Sequence, residues 1–98
     1  MSISFHPKAV TELEAATREY VGIDPELGAD FRREIEHTVT LISSHPWIYR
    51  LRFGLYRRAN LGRFPYHLVF VEEKEGLRII AMAHSSRRPH FWANRLDQ

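Results

Sequence analysis

Residues 66–84 read YHLVFVEEKEGLRIIAMAH, and they contain the clearest structural signal in the chain. Residues 66–73 are apolar on both sides in their middle, which is typical of a strand at the centre of a sheet. The charged run 72–76 ends in Gly76 and has the composition of a hairpin turn. Residues 77–84 are a second apolar run of similar length. The pattern predicts two adjacent antiparallel strands joined by a short turn.

Two amphipathic helices are predicted in the first half of the chain. Pro7 is well placed to open the first, since proline is favoured in the first helical turn, and apolar residues recur at helical spacing over residues 7–21. Gly22 is expected to end this helix. Asp24 has the side chain of a helix N-cap, and the long apolar stripe after it continues until Pro46 stops the helix. Two stripes with a short connection predict a helical hairpin.

The order of the elements predicts one α+β domain spanning residues 1–98. A short strand over residues 2–5 comes first, and a strand over residues 55–61 precedes the 66–84 hairpin. The predicted architecture is therefore a short N-terminal strand, a helical hairpin and a three-stranded antiparallel sheet. We expect the helices to cover one face of this sheet and the opposite face to be open.

Composition argues against several classes of protein. The chain has no cysteine, which excludes disulfides and thiolate metal sites and fits a reducing cytoplasm. Its first residues lack the basic run and apolar run of a signal peptide, and no apolar stretch has the length of a membrane span. The six histidines show no HxxxH or HxH spacing. We therefore expect no metal, no cofactor and no membrane contact.

Charge is unevenly distributed along the chain. Residues 1–50 carry 5 Lys or Arg against 8 Asp or Glu, a net charge of −3, whereas residues 51–98 carry 9 against 4, a net charge of +5. Twelve of the fourteen cations are arginines, whose planar fork suits carboxylate and phosphate groups. We expect an acidic partner to dock on this basic second half.

The last strand runs into a dense segment, HSSRRPHFW, at residues 84–92. Pro89 stiffens the chain directly after Arg87 and Arg88. Trp92 is expected to cover the sheet, because a free tail would leave a large aromatic side chain exposed. The segment therefore predicts a tail that folds back and holds both arginines at the mouth of the open face.

The sequence resembles the RelE/ParE toxin superfamily of type II toxin–antitoxin systems over residues 5–95. The most specific segments are RRANLGRFPY at 57–66 and AHSSRRPHFW at 83–92, which are similar to the ParE-like branch, often labelled plasmid stabilisation proteins. This resemblance implies a bacterial protein that inhibits growth; membership of the ParE-like branch implies that it is not an enzyme, and membership of the RelE-like branch that it is an endoribonuclease. It also implies DNA gyrase as the target, and a cognate antitoxin that wraps a helix or strand around the toxin in a hetero-oligomer.

RelE-like members of the superfamily are endoribonucleases that cut mRNA on the ribosome, and the chain departs from their pattern. Those members use Lys and Arg on the sheet face and a Tyr near the C-terminus. Here Lys8 falls in the first helix and Lys74 in the hairpin turn. The C-terminal aromatics Phe91 and Trp92 cannot exchange a proton. These departures favour the gyrase alternative.

A nuclease of another kind stays open as an alternative. His84 ends the last strand, and an imidazole can serve as acid or base near neutral pH. Arg63 and Arg87 could then hold the phosphate. A second alternative is a non-toxic nucleic-acid-binding or interaction module with a basic, aromatic sheet face.

The candidate residues fall into two groups. Tyr66, Pro89 and Trp92 are expected to be structural. Arg57 and Arg58 would point to opposite faces if residues 55–61 form a strand. The candidates for binding the target or an anion are Arg57, Arg58, Arg63, Arg87 and Arg88.

Overall fold

The computed structural model describes residues 2–97 and contains two helices and a five-stranded sheet, which confirms the α+β class. The strand order in the sheet is β1-β5-β4-β3-β2. Strand β1 runs parallel to β5, and the other neighbouring pairs are antiparallel. In chain order the elements are β1 (Ile3–Phe5), α1 (Pro7–Ile23), α2 (Pro25–Ser44), β2 (Leu51–Phe53), β3 (Tyr56–Asn60), β4 (Tyr66–Glu73) and β5 (Gly76–His84), with 3-10 turns at Pro46–Ile48 and Arg95–Asp97.

Asp24 forms the corner of the helical hairpin. Its backbone N–H donates to the carbonyl of Tyr20 and closes α1, while its carboxylate accepts from the backbone N–H of Glu26 and opens α2. The prediction that Gly22 ends α1 is wrong, because the helix continues to Ile23. One glycine weakens a helix by only about 1 kcal/mol, whereas the extended backbone of Asp24 stops it. Neither helix has the length and apolar character needed to cross a membrane.

The sheet has two features that differ from the predicted three-stranded antiparallel arrangement. The N-terminal strand joins the sheet in parallel pairing with β5, from Ile3 opposite Leu77 to Phe5 opposite Ile79. Strand β2 extends the other edge, with an irregular register against β3. All three residues of β2 are exposed, so no alternation of buried and exposed side chains marks it in the sequence.

The main core lies between the helices and one face of the sheet. Residues 68–71 in the middle of β4 are all buried, as expected of a central strand. A register shift at Val69/Phe70 lets two successive residues of β5, Ile80 and Ala81, face away from the helices. The buried members of the main core are Ala9, Ala16, Phe31, Ile35, Ile42, Ala59, Leu61, Phe64, Leu68, Phe70, Leu77, Ile79 and Met82.

The face of the sheet opposite the helices is partly covered, which corrects the expectation of an open face. Trp92 is only 5% exposed and packs with Val69, Val71, Ile80 and Ala81 in a second, smaller core. The segment after β5, which we call the tail, therefore folds back over the strands. What stays accessible on this face is a groove between that segment and β3.

Candidate anion-binding site

The accessible part of this face is a groove of about 220 Å³, which we call the arginine groove. Its walls come from β2, β3, β4, the end of β5 and the segment after β5. No carboxylate lines it among the described residues. Within residues 2–97, no three histidine, aspartate or glutamate side chains are grouped to hold a metal ion. Its lining includes Arg52, Arg58, Arg87, Arg88, His67 and His90, together with Arg57, whose guanidinium is bonded to the carbonyl of Tyr49. Such a lining suits an anionic ligand.

Arg57 and Arg58 lie on opposite faces of β3. Arg57 is opposite Phe70 of the main core, and its Nη1 donates to the carbonyl of Tyr49 at 2.6 Å. Arg58 is opposite Val69 of the second core, and its Nε is 2.9 Å from Oδ1 of Asn60. The guanidinium of Arg57 thus ties down the chain before β2, whereas Arg58 lies on the face that carries the groove.

His67 forms part of the wall on β4, opposite Ala83 of β5. The pKa of its imidazole is lowered from 6.5 to about 4, first by burial and then by the nearby charges of Arg58 and Arg52. Its Nδ1 is buried and has no hydrogen-bond partner among the described residues. His67 is therefore neutral at physiological pH, and the positive charge of the groove comes from the arginines.

Arg87 and Arg88 are both exposed and lie on the tail side of the groove. The Cζ atom of Arg87 lies 3.8 Å from the centroid of the Phe91 ring, a cation–π contact. Pro89 is exposed beside them and also lines the groove. The tail thus presents two arginines, one of which is held on an aromatic ring.

Aromatic rings from β2 and β3 meet the tail at the rim of the groove. His90 has a left-handed backbone, with φ of 61°, and its ring stacks on Phe53 at 4.1 Å and an angle of 24°. Trp92 packs against Tyr56 at 4.5 Å. Sequence reasoning missed Arg52, Phe53 and Tyr56 as parts of the site. No local pattern marks them, because they join the tail only through the sheet.

Arg63 lies outside the arginine groove and faces α2. Its Nη2 is 3.6 Å from Oδ2 of Asp30, and its backbone N–H donates to the Glu34 carboxylate at 3.1 Å. Two carboxylates therefore lie beside this arginine, and they offset its attraction for an anion.

His84 also lies apart from the groove lining, at the end of β5. Its ring packs edge-on against Tyr66 at 5.1 Å, and its Nδ1 accepts from the backbone N–H of Ser86 at 3.0 Å. Tyr66 belongs to the edge of the main core, and burial raises the pKa of its phenol. Of the three candidates for RNA cleavage, Arg87 donates its backbone N–H to the carbonyl of His84 at 3.0 Å, whereas Arg63 contacts Asp30 and Glu34 of α2. His84 therefore stabilises the turn after β5.

Comparison with known proteins finds a fold relative. No family model and no curated protein matches the sequence. A solved structure described as "Chromosomal ParDE TA system from P. aeruginosa" contains a chain that is 20% identical. The match has a TM-score of 0.75 and covers 86% of this chain and 95% of that one. At this identity the likeness is one of fold, and the protein has the fold that its resemblance to the RelE/ParE superfamily implies.

Proposed function

We propose that the protein is the toxin of a bacterial type II toxin–antitoxin module, of the ParE-like, plasmid-stabilisation kind. It would inhibit growth in the cytoplasm by acting on DNA gyrase until an antitoxin binds it. The observation that carries this proposal is the arginine groove, with arginines on both of its sides and no carboxylate among its described lining residues, on a fold shared with a chain of a ParDE system.

The chemistry of the arginine groove supports an acidic protein partner. Guanidinium groups pair with carboxylates through two parallel hydrogen bonds, and complementary charge accelerates association. In the groove His67 is neutral and adds no charge. The positive charge of the groove therefore comes from Arg52 and Arg58 on the sheet side and from Arg87 and Arg88 on the tail side. An acidic segment of an antitoxin, or an acidic surface of the target, would bind between these two pairs.

The positions of the cleavage candidates favour gyrase over mRNA as the target. Cleavage of RNA through its 2′-hydroxyl needs a base, an acid and cations within reach of one phosphate. His84 holds a turn, and Arg63 lies beside Asp30 and Glu34. His67 does line the groove, but a pKa of about 4 makes it a weak base at neutral pH. These placements support a toxin that binds its target rather than cleaving it.

The proposal is tested by producing the chain alone from an inducible promoter and following growth, transcript integrity and plasmid supercoiling together. We expect growth to stop, supercoiling to change and transcripts to stay intact. Co-production of a small acidic protein encoded beside the chain should restore growth. Normal growth at high soluble expression would contradict the toxin proposal and favour a non-toxic binding module. Transcript cleavage that is lost in His84→Ala would replace gyrase with mRNA.

A further inference from the structure

A buried ion pair links α1 to the C-terminal segment. The guanidinium of Arg95 makes two hydrogen bonds to the carboxylate of Glu12, at 2.9 Å to Oε1 and 2.8 Å to Oε2. Nη1 of Arg95 also donates to the carbonyl of Ile80 at 2.9 Å. Arg95 is only 7% exposed, which is rare for an arginine. The geometry is bidentate and holds the segment after β5 in a defined place.

The pair occupies an unpaired edge of the sheet. Strand β1 pairs with β5 only as far as Ile79, so the next polar backbone groups of β5 on that side have no neighbouring strand within residues 2–97. The Glu12 carboxylate accepts from the backbone N–H of Met82 at 3.1 Å, and Arg95 donates to the carbonyl of Ile80. The two side chains therefore replace a strand at this edge and satisfy backbone groups that would otherwise be buried without partners.

Phe91 connects this pair to the arginine groove. The Cζ atom of Arg95 is 5.0 Å from the centroid of the Phe91 ring, and the Cζ atom of Arg87 is 3.8 Å from the same centroid. Phe91 itself packs against the second core and lines the groove. A continuous series of contacts thus runs from Glu12 through Arg95 and Phe91 to Arg87.

We propose that Phe91 and Arg95 are positioning residues that hold Arg87 in the groove, with Glu12 of α1 as their anchor. Arg87 is exposed, and a free arginine side chain samples many rotamers that binding must suppress. The ring of Phe91 restricts these rotamers through its attraction for the guanidinium. A preorganised Arg87 binds an anionic group with a smaller loss of entropy. The structural part stands on these contacts alone, and its consequence for binding rests on the proposed function.

The first experiment measures the position of Arg87 directly by NMR. Protons of a side chain that lies over an aromatic ring are shifted upfield, and we expect this shift for the Arg87 side chain in the wild-type chain. Phe91→Leu keeps an apolar side chain but removes the ring, so the Arg87 shift should be lost. Phe91→Tyr restores a ring and should restore the shift, which a general packing role for Phe91 would not predict. An Arg87 resonance that is the same in wild type and Phe91→Leu would overturn the proposal.

The second experiment tests the anchor. Arg95→Lys keeps the charge but loses the planar fork that bonds both oxygens of Glu12, and it should reduce the Arg87 shift. Glu12→Gln should reduce it as well, whereas Glu14→Gln, at an exposed position of the same helix, should leave it unchanged. If Glu12→Gln does not fold, Arg95→Lys decides the outcome. A folded Arg95→Lys chain with the full Arg87 shift would show that the anchor has no role.

Measurements of growth inhibition distinguish a failure of the positioning role of Phe91 from a failure of the proposed toxin function. If the chain is toxic, Phe91→Leu should weaken toxicity, and adding Phe91→Leu to Arg87→Ala should weaken it no further. An additional loss in the double variant would show that Phe91 acts by a route other than Arg87, and would overturn the positioning role. If the wild-type chain is not toxic, the proposed function fails, and the NMR comparison still decides whether Arg87 is held.

Discussion

Trp92 is the residue that attaches the tail to the sheet. It is 5% exposed, and its ring packs at 4.5 Å from that of Tyr56. We predict that Trp92→Ala lowers the free energy of unfolding by about 3–5 kcal/mol, the range for a large aromatic removed from a core. At equal soluble protein it should also weaken growth inhibition, because the wall of the groove is lost. Denaturant unfolding measures the first effect, and Trp47→Ala, at a 66% exposed tryptophan, is the control. Equal decreases in the free energy of unfolding of the two variants would contradict the role of Trp92 in attaching the tail to the sheet.

Arg87 and Arg88 test whether the arginine groove is the functional surface. Both are exposed, so replacing them together by alanine should change the free energy of unfolding by less than about 1 kcal/mol. We expect the double variant to abolish growth inhibition. The control is Arg18→Ala with Arg32→Ala, which removes the same charge from exposed positions on the helices and should leave the chain toxic. A double variant that stays fully toxic would assign the pair to the solvated surface.

His67 predicts a pH dependence of stability. Its pKa is lowered from 6.5 to about 4 in the folded chain, so between these values the unfolded chain binds a proton that the folded chain does not. Stability should therefore fall as the pH drops from 6.5 to about 4 and should lose nothing more from this residue below that. Unfolding measured across this pH range should show a smaller slope in His67→Gln than in the exposed control His37→Gln. An NMR titration of His67 near its ordinary pKa would contradict the prediction.

At the scale of elements, the two glycines of the helical hairpin have opposite environments. A Cβ added at Gly28 would lie 3.1 Å from the backbone N and Cα of Val21 and would also meet Cγ2 of the same residue, whereas one added at Gly22 has nothing within 4 Å. We predict that Gly28→Ala lowers the melting temperature, because the helices must separate. Gly22→Ala should raise stability by about 0.5–1 kcal/mol through helix propensity. Thermal unfolding of both variants tests this prediction. A similar rise of the melting temperature in Gly28→Ala and Gly22→Ala would contradict a close approach of α1 and α2.

Local sequence accounts well for some elements and poorly for others. The β4–β5 hairpin and the two helices follow from apolar periodicity, and Asp24 predicts the start of α2 correctly. Strand β3 is two residues shorter than the predicted strand over residues 55–61. Strand β2 was not predicted, because a three-residue exposed edge strand has no buried face to leave a pattern.

At the scale of the whole molecule, the uneven charge predicts how a partner associates. Arg52→Glu with Arg58→Glu reverses charge on the sheet side of the arginine groove. We expect this variant to bind the proposed acidic antitoxin more weakly and with a shallower dependence on salt. The matched control is Arg32→Glu with Arg33→Glu, which makes the same change of charge on α2. Titration calorimetry at several salt concentrations measures the affinity of each variant and its dependence on salt. Equal affinities and equal salt dependences in the two variants would contradict an electrostatic role of the groove.

Local order and chemical composition could be determined from the sequence by itself. Helical periodicity, N-caps and alternating apolar runs act between residues a few positions apart, and the basic character of residues 51–98 is a property of composition. The parallel pairing of β1 with β5 and the placement of Arg52 and Arg87 in one groove depend on the tertiary structure. So does the separation of Arg63 from that groove. These arrangements arise because stacking the helices on one face of the sheet, and the tail on the other, brings distant residues together or keeps them apart, and no local pattern encodes those contacts.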